Sequence, residues 1–432
     1  PHNPAGNWYQ QFFPNIGGRT ISDVFFLDSL TGWAVTPYRF QNDTSYVLKT
    51  TNSGNNWFIQ HSRIGQFVGS SRVIFLNANT GFTAGVSNLP AYSSILKTTN
   101  GGNNWNNINS PTDPFTAEDM NIISTDTIWL VSLNGLTGGV FRTTNGGASW
   151  QQQLNIGSSN PNHVYMFNAR IGFIAEDFNY LRKTTDGGVT WNLINGADGF
   201  LDIHFTDSTT GWKSYGLMKK TTDGGLNWVT QTLPSGGQLL SSGMGKFSVL
   251  NSDTIWGVGG QIFYGGSQTR GVLFRTVNGG ANWQYQAPDT AYNIFIYNQI
   301  KFTNRLNGWA YSGPRGVHTT NSGDPIWYIG IQQISSNVPK EYELKQNYPN
   351  PFNPRTVIPF SLKRSAYVKL IAYDITGREI QKMVEGKYGA GEYEADFMGK
   401  FTASGIYFYR MEVTDDKSKK VFSETKKMVL LK

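Results

Sequence analysis

One short turn is repeated seven times along this 432-residue chain, and the repetition limits the folds that the chain can adopt. The copies read KTTNSGNNW, ending at Trp57; KTTNGGNNW, at Trp105; RTTNGGASW, at Trp150; KTTDGGVTW, at Trp191; KTTDGGLNW, at Trp228; RTVNGGANW, at Trp283; and HTTNSGDPIW, at Trp327. The tryptophans of the first six copies are about 45 residues apart on average, within the range for a four-stranded propeller blade. The last copy has one extra residue before its tryptophan, as terminal repeats often do.

A second motif lies between these turns and supplies further strands. Its copies are DVFFLDSLTGWAV from Asp23, VIFLNANTGFTAG from Val73, NIISTDTIWLV from Asn121, VYMFNARIGFIAE from Val164, IHFTDSTTGWKSYG from Ile203, SVLNSDTIWGVGG from Ser248 and IKFTNRLNGWAYSG from Ile300. With the strands beside the first turn, every repeat reads as a four-stranded antiparallel sheet. Such a sheet has two apolar faces, and a ring of seven sheets buries each face against a neighbour. We therefore predict an all-β fold that contains a seven-bladed β-propeller.

An aromatic residue follows glycine at the start of the second strand in five of these copies. These residues are Trp33, Phe82, Phe173, Trp212 and Trp309. Because a residue that recurs in most blades has a task common to them, we expect these side chains to fill the space between blades.

The first turn resembles the Asp-box, or BNR repeat, of sialidase-like propellers, whose pattern is Ser/Thr-x-Asp-x-Gly-x-Thr-Trp. The match runs through Thr184, Asp186, Gly188, Thr190 and Trp191, and Asn replaces Asp in five copies. Asp and Asn both accept hydrogen bonds from backbone N–H groups two residues on, and glycine supplies a positive φ. The resemblance implies a structural element at the blade periphery, and repeats that join it to a Gly-Trp strand are most similar to photosystem II assembly factor-like propellers. The turn residues so assigned are Asn52, Gly54, Trp57, Asn100, Gly102, Trp105, Asn145, Gly147, Trp150, Asp186, Gly188, Trp191, Asp223, Gly225, Trp228, Asn278, Gly280, Trp283, Asn321, Gly323 and Trp327.

Two segments compete to close the predicted ring. The N-terminal NWYQQFF, with Trp8, is similar to the strand that follows each turn, so it could pair with the last blade. The segment after Trp327 could take the same position.

Composition excludes several kinds of site. The chain has no cysteine, which excludes disulfides, thiolate catalysis and cysteine metal ligands. It has no run of about 18 apolar residues, so we expect no transmembrane segment. Residues 338–432 hold 17 Lys/Arg and 12 Asp/Glu, which is +5 of the net +7. The nearly neutral remainder argues against a nucleic-acid partner. The chain begins with Pro1, which fits removal of a signal peptide and equally fits an artificial start.

The composition changes after about residue 335, which predicts a propeller over residues 1–333, a linker over 334–344 and a small immunoglobulin-like β-sandwich over 345–432. The last segment resembles the type A C-terminal sorting domain of the bacterial type IX secretion system, and the alternative reading is an adhesion module of the same fold. The matching residues are Asn347, Tyr348, Pro349, Asn350, Pro351, Phe352, Asn353, Pro354, Tyr373, Asp374, Gly377, Ser404, Gly405, Ile406, Tyr407, Lys427, Met428, Val429 and Leu430. The resemblance implies that the type IX translocon is a partner, and that the protein reaches the surface or medium of a Gram-negative bacterium of the Bacteroidetes–Ignavibacteria kind.

No catalytic, cofactor or metal site is predicted. Glycoside hydrolysis generally needs two carboxylates, or a tyrosine with an acid in sialidases, and the propeller has only Glu118 and Glu176. Each lies beside an aspartate, and adjacent residues on a strand point to opposite faces, which makes a poor catalytic pair. The five histidines, His2, His61, His163, His204 and His318, show no metal-ligand spacing, although loop carboxylates could still bind calcium.

Binding is therefore expected in the propeller loops, of which three are long. They are Val86–Ser93, Gln231–Gly245 and Gly259–Gly271. The third carries Phe263, Tyr264 and Arg270, which are residue types enriched in recognition surfaces. The alternative for this segment is a disordered glycine-rich loop.

These observations favour an exported, non-enzymatic binding or scaffold propeller whose loops take a protein or glycan ligand. One alternative is a structural subunit of an extracellular assembly that keeps its C-terminal domain and self-assembles. A third, disfavoured alternative is a sialidase-like enzyme that acts on glycans.

Overall fold

The computed structural model of the protein describes most of the chain. The described residues are 8–37, 43–65, 69–87, 95–111, 115–132, 139–155, 161–177, 179–235, 239–264, 268–288, 292–324, 331–335, 337–399, 403–415 and 419–431. Within these ranges the chain forms 37 β-strands and no α-helix. The predicted all-β fold, a seven-bladed propeller followed by a sandwich, is confirmed.

Each blade is an antiparallel sheet whose strands follow one another in chain order. Blade 1 contains β2 (Asp23–Phe26), β3 (Gly32–Val35), β4 (Asp43–Thr50) and β5 (Phe58–Gly65). Blade 2 contains β6 (Gly69–Phe75), β7 (Gly81–Ser87), β8 (Ile95–Thr98) and β9 (Asn106–Ile108). Blade 3 contains β10 (Phe115–Ile122), β11 (Ile128–Ser132), β12 (Gly139–Thr143) and β13 (Gln151–Asn155). Blade 4 contains β14 (Pro161–Met166), β15 (Gly172–Glu176), β16 (Tyr180–Thr184) and β17 (Asn192–Leu193).

Blade 5 follows the same plan, whereas blade 6 has a fifth strand and blade 7 takes one strand from the N-terminus. Blade 5 contains β18 (Asp202–Phe205), β19 (Gly211–Tyr215), β20 (Leu217–Thr221) and β21 (Val229–Thr230). Blade 6 contains β22 (Leu239–Ser241), β23 (Lys246–Val249), β24 (Ile255–Tyr264), β25 (Gln268–Thr276) and β26 (Gln284–Gln286). Blade 7 contains β27 (Gln299–Phe302), β28 (Gly308–Ser312), β29 (Arg315–Thr319) and the N-terminal β1 (Trp8–Phe12). The strands β2, β6, β10, β14, β18, β23 and β27 contact one another in an unbroken circle and so surround a central channel.

The N-terminal strand closes the ring. β1 pairs antiparallel with β29 over its whole length, from Trp8 opposite Thr319 to Phe12 opposite Arg315. Trp8 is fully buried, and its indole N–H donates to Gln286 Oε1 of blade 6 at 2.5 Å. Of the two candidates for closure, the N-terminal segment is thus the one that occupies the last position of blade 7.

Aromatic stacking joins consecutive blades. Trp33 of blade 1 stacks on Phe75 of blade 2 with ring centroids 3.5 Å apart, and Trp256 stacks on Phe302 at 3.8 Å. The same contact crosses the closure, where Trp309 of blade 7 stacks on Phe26 of blade 1 at 3.8 Å. The prediction that the aromatics after glycine fill the space between blades is confirmed.

The glycine before these aromatics makes room within its own blade. Gly32 lies opposite Phe26 in the sheet, and a Cβ on Gly32 would come within 2.7 Å of that ring. Two blades have isoleucine instead of glycine, and there the opposite residue is smaller: Ile128 faces Ile122, and Ile255 faces Val249. The glycine is therefore present where a long or aromatic side chain lies opposite, and isoleucine replaces it where the opposite residue is a β-branched aliphatic one.

All the repeated turns lie at one end of the propeller. Each is hydrogen-bonded to another turn of its own blade. In every blade the turn after the third strand donates a backbone N–H to a carbonyl of the turn after the first strand. The seven bonds are Ser53 to Leu30, Gly101 to Asn79, Gly146 to Asp126, Gly187 to Arg170, Gly224 to Thr209, Gly279 to Asp253 and Ser322 to Leu306. This end of the ring, which we call the turn face, is the same from blade to blade.

Within each turn the threonine does what we expected of Asn or Asp. In blade 4 Thr184 Oγ1 accepts the N–H groups of Asp186 and Gly188 at 3.3 and 2.8 Å. Asp186 Oδ1 accepts from the N–H of Thr190, four residues on rather than two. The N–H of Gly188, two residues beyond Asp186, donates mainly to the threonine hydroxyl and also helps Thr190 to lower the pKa of Asp186. The predicted positive φ is confirmed, with +94° at Gly188.

The tryptophans of these turns are mostly buried beneath them. Trp57, Trp105, Trp191 and Trp283 are buried, whereas Trp150 and Trp228 are partly exposed. Trp327 lies outside the described residues.

In blades 1, 3, 4, 5 and 6, the basic residue at the start of the repeated turn connects its blade to the next one. Lys49 Nζ donates to the carbonyl of Gly101 at 2.9 Å, and Lys183 Nζ donates to Gly224 at 2.7 Å. Each lysine also lies over the aromatic ring of its own blade, as Lys49 does over Trp33 at 5.1 Å. Both contacts favour the charged form of a side chain that is partly shielded from water.

The C-terminal strands form a sandwich of two four-stranded antiparallel sheets. One sheet contains, in spatial order, β30 (Ile331–Ser335), β35 (Gly391–Met398), β32 (Arg355–Leu362) and β31 (Glu343–Leu344). The other contains β34 (Glu379–Tyr388), β33 (Ala366–Tyr373), β36 (Gly405–Thr414) and β37 (Lys420–Leu430). Alternate residues of β36 face the shared core, where Tyr409, Met411 and Val413 are fully buried.

The sandwich begins earlier than the sequence indicated. β30 pairs with β35, from Ile331 opposite Ala395, and β31 pairs with β32. Part of the segment expected to be a linker, 334–344, is thus strand in the sandwich. The sequence did not reveal this because Ile331–Ser335 has only two apolar residues.

We predict that Trp8→Ala destabilises the propeller by about 3–5 kcal/mol, because it empties a core site and unfastens the closing strand. Tyr9→Ala in the same strand is the matched control, since Tyr9 is 48% exposed, and should change stability by less than about 1 kcal/mol. All 13 tryptophans precede residue 330, so tryptophan fluorescence during denaturant unfolding reports on the propeller. Equal losses in the two variants would contradict closure by β1.

A second prediction concerns the glycines of the repeated turn. Gly225→Ala should cost about 2–4 kcal/mol, since φ is +86° and a Cβ would lie 2.7 Å from Phe173. Gly216→Ala, in the same blade, has φ of +71° with no atom within 4 Å of the added carbon, so only about 1 kcal/mol of backbone strain is expected. The same fluorescence measurement compares the two, and a Gly216 variant at least as unstable as the Gly225 variant would refute the steric explanation.

Candidate functional site in the central channel

The end of the propeller opposite the turn face carries the non-repeated connections. Because consecutive strands are antiparallel, the links between second and third strands and those between blades all emerge at this end. The three long segments predicted from the sequence belong to these links, so they share one face, which we call the loop face. The described part of Val86–Ser93 ends at residue 87.

Two of these segments are joined by strand pairing. β24 and β25 continue as a hairpin from Ile255 opposite Thr276 to Tyr264 opposite Gln268, and β22 pairs with β24. The alternative that Gly259–Gly271 is a disordered loop was therefore wrong for its described residues. Of the candidate binding residues, Phe263 is half exposed on this hairpin. Arg270 is in the partner strand and donates to Gln268 Oε1 at 3.0 Å, and a binding role for this hairpin stays a prediction.

A ring of polar side chains surrounds the channel where the innermost strands begin, at the loop face. It is formed by the residue three positions before the end of each innermost strand. From blade 1 to blade 7 these residues are Asp23, Arg72, Asp119, His163, Asp202, Lys246 and Gln299. Acidic and basic residues alternate through six blades, and a neutral amide occupies the seventh.

Four of these residues form a partly buried network of ion pairs and hydrogen bonds. Arg72 Nε lies 2.6 Å from Asp119 Oδ1, and its Nη1 lies 3.8 Å from Asp23 Oδ1. On the other side, His163 Nδ1 lies 3.2 Å from Asp119 Oδ2. Asp119 is thus held between the basic residues of the two neighbouring blades.

The aspartates also bind the backbone of the next blade. Asp23 accepts from the N–H of Val73 at 3.0 Å, Asp119 from Val164 at 3.3 Å and Asp202 from Phe247 at 2.9 Å. At the closure, Gln299 Nε2 instead donates to the carbonyl of Ser22 at 2.7 Å. Each bond replaces water on a buried backbone group, so this layer stabilises the ring.

The network sets the charge of its members. Burial opposes ionisation of Asp119, but the charge of Arg72 and the bond to His163 outweigh it and lower its pKa to about 2. Burial raises the pKa of Asp23, and the charge of Arg72 opposes that rise only in part. Asp119 is therefore a fixed anion at neutral pH.

A cavity of about 250 Å³ extends from this ring along the channel. Two residues beyond each ring position lies a second layer, which consists of Phe25, Ile74, Asn121, Tyr165, His204, Ser248 and Lys301. Blades 1 and 2 contribute apolar residues to this layer, and the other five blades contribute polar ones. The channel is therefore asymmetric although the blades are repeats.

The two glutamates of the propeller do not form a catalytic pair. Glu176 is buried and forms an ion pair with Arg182 in its own blade. Glu118 is one residue from Asp119, and burial together with the charge of Asp119 raises its pKa. In the part of the chain that the structure describes, no group of three or more Asp, Glu or His could hold a metal ion. Nor does any described helix have the length and hydropathy of a membrane span.

Our reading of the sequence missed the channel ring. Except for Asp23, the ring residues precede the copies of the second motif in the sequence, and their type changes from blade to blade. The alternation of their charge was the available signal.

In the sandwich, two distant parts of the motif that resembles a sorting signal lie side by side. Asn350 Oδ1 accepts the N–H of Val429 at 2.9 Å, and Phe352 exchanges backbone bonds with Val429 and Leu431. Phe352 is buried against Phe397, and Met428 is also buried. The residues that follow Tyr348 are thus hydrogen-bonded to the C-terminal end of the chain.

Other motif residues have internal structural contacts. Asn347 is buried and donates to Thr356 Oγ1 at 2.9 Å, while Tyr407 donates to the carbonyl of Ala403 at 2.7 Å. Asp374 closes a tight turn by accepting from Thr376, and Gly377 in that turn has φ of +84°. Much of the motif therefore serves folding of the sandwich.

Comparison with known proteins supports the propeller fold. No protein-family model matches the chain, and no curated protein matches it in sequence. Among solved structures it is similar to YCF48 bound to D1 peptide, at 19% identity, with 73% of this chain and 97% of that chain covered and a TM-score of 0.53. For YCF48 from Cyanidioschyzon merolae these values are 17%, 74%, 99% and 0.52.

A glycoside hydrolase is similar as well. The GH74 xyloglucanase from Xanthomonas campestris is 13% identical over 82% of this chain and 59% of its own length, with a TM-score of 0.51. Identities this low show that the chain is a β-propeller and do not carry an activity from one protein to another.

We predict that Asp119→Asn destabilises the propeller by about 2–3 kcal/mol at pH 7, because it removes the anion that lies 2.6 Å from the partly buried Arg72. The folded-state pKa of Asp119 is lowered to about 2. Its contribution is therefore present above the unfolded pKa of about 4 and is lost as pH falls towards 2. The gap in unfolding free energy between wild type and variant should narrow by about 2 kcal/mol between pH 5 and pH 2. Groups that titrate alike in both proteins do not affect this difference in unfolding free energy. A difference that does not change with pH would contradict the lowered pKa of Asp119.

Proposed function

We propose that this protein is an exported, non-enzymatic propeller that binds a partner at its loop face and is delivered by its C-terminal sandwich through type IX secretion. The observation that carries the proposal is the contact between the two ends of the sorting motif, Asn350–Phe352 and Val429–Leu431. A motif split over about 80 residues forms one continuous surface, as expected of a signal that is read by another protein.

The surface contains exposed residues beside the structural ones. Tyr348 is 79% exposed and Leu431 is 53% exposed. Lys427 is also exposed, and its carbonyl accepts from Gln346 Nε2 at 2.8 Å. Exposed aromatic and lysine side chains suit a polar partner surface. We propose that these residues contact the translocon, and that the destination is the outer surface or the medium of a Gram-negative bacterium.

The division of the propeller into two faces supports a binding role for the other domain. On the turn face, the bond between two turns recurs in every blade, and basic side chains connect neighbouring blades. The connections on the loop face differ from blade to blade. Variable connections on a rigid frame are a usual place for recognition. One similar propeller is described as bound to a peptide, and we propose a protein segment as the ligand here.

The alternatives depend on other observations. An extracellular assembly requires that the sandwich stay attached after export. A glycan-active enzyme requires two free carboxylates, but Glu176 is ion-paired and Asp119 is held between two basic residues. We therefore propose binding rather than hydrolysis.

We predict that removal of residues 331–432 keeps the propeller inside a bacterium that has a type IX system, whereas the full chain reaches the surface or medium. Immunoblots of periplasm, cell surface and medium measure this. A fusion of residues 331–432 to an exported fluorescent protein should be delivered, and the same fusion without residues 426–432 should not.

Two controls accompany this experiment. Intrinsic tryptophan fluorescence of the truncated propeller shows whether it is folded, since all 13 tryptophans remain in it. A host without the type IX system should retain every form. Secretion of the truncated propeller at the level of the full chain would refute the proposed role of the sandwich.

A further inference from the structure

Three neighbouring blades place His204, Ser248 and Lys301 side by side in the second layer of the channel. They occupy the same position on β18, β23 and β27, and all three line the cavity. None of them has a counterpart of the same type in another blade, so none belongs to the repeated framework.

Lys301 differs from the other lysines of the propeller that are shielded from water. Lys183, Lys213 and Lys246 each donate hydrogen bonds from Nζ, to Gly224, Asp198 and Leu201. Among the described residues, Lys301 Nζ has no hydrogen-bond or ion-pair partner. It lies over the ring of Phe25, 5.9 Å from the ring centroid.

The surroundings of Lys301 favour an added anion. Burial lowers the pKa of Lys301, and the charges of Asp202 and Asp23 oppose this only in part. Those two carboxylates already accept backbone N–H groups of the next blade. A shielded ammonium with no direct acceptor gains a strong, charge-assisted hydrogen bond when a carboxylate arrives.

Ser248 and His204 can add donors beside this ammonium. Ser248 Oγ accepts the N–H of Phe302 at 2.9 Å, so its hydroxyl hydrogen points away from that bond. His204 has no hydrogen bond among the described residues, and its ring lies 6.2 Å from that of Tyr165. A neutral imidazole keeps one N–H donor.

We infer that His204, Ser248 and Lys301 form a binding site for a carboxylate group, which enters the channel from the loop face. The cavity, about 250 Å³, accepts a chain end or a single side chain rather than a folded domain. The inference rests on the proposed binding function and names the chemistry of one part of the ligand. A peptide carboxylate and a uronic acid share this chemistry.

The test uses the full chain and small probes. Isothermal titration compares N-acetyl-diglycine, which has a free carboxylate, with its amide, and D-glucuronate with D-glucose. We expect each acid to bind at least about tenfold more tightly than its neutral partner, the effect of one charge-assisted hydrogen bond. The better of the two acids identifies the source of the carboxylate.

Two substitutions assign the effect to the channel. Lys301→Gln should weaken acid binding by about tenfold or more, and Lys301→Arg should keep the preference for the acid. Arg305→Gln is the matched control, because it removes the same charge from an exposed turn of the same blade, at the turn face. Thermal unfolding of each variant confirms that it is folded.

Equal binding of acid and amide, no binding of either acid, or full binding by the Lys301→Gln variant would overturn the inference. Secretion and partner binding at the loop face are measured separately. If neither acid binds but the protein is still secreted, only the inferred carboxylate site in the channel is refuted.

Discussion

The rest of this structure depends on the burial of both faces of every blade against its neighbours. A single four-stranded sheet has too little apolar contact to be stable alone, and stacking in a ring leaves no face uncovered. The stacked pairs Trp33–Phe75, Trp256–Phe302 and Trp309–Phe26 are the centres of this contact. The first and last blades must also bury their facing surfaces against each other, so the fold requires closure by β1.

Closure with an odd number of blades also determines the channel. Acidic and basic residues alternate around the ring from Asp23 to Lys246, so each aspartate has a basic residue in the next blade. Seven positions in a closed ring cannot alternate completely, and a charge of either sign at the seventh position would lie beside a like charge, that of Lys246 or that of Asp23. Gln299 avoids this, since its neutral amide binds the carbonyl of Ser22. The charged layer thus holds the ring together without a repulsive contact at the point where the chain closes it.

The sequence predicted what is repeated and missed what is not. Turn residues such as Thr184 and Gly188 recur with the same local bonds, so the structure of one turn predicts that of the other six. The channel ring uses the same position with different residues, and repetition of residue type does not reveal it. The pairing of β22 with β24 joins segments about 20 residues apart, and the strand Ile331–Ser335 is weakly apolar. Both depend on tertiary contacts that local pattern does not contain.

The motif proposed for sorting is divided in the same way between buried residues with structural contacts and exposed residues. Asn347, Phe352 and Met428 are buried, and their contacts join the two sheets and the last strand. These residues are inaccessible to another protein, so the proposed contact with the translocon would use the exposed members, Tyr348 and Lys427 among them. The buried members hold the exposed ones at fixed positions, which lowers the entropic cost of binding. The length of the motif therefore reflects the need to build a rigid surface from two ends of the domain, and its recognition would depend on far fewer side chains.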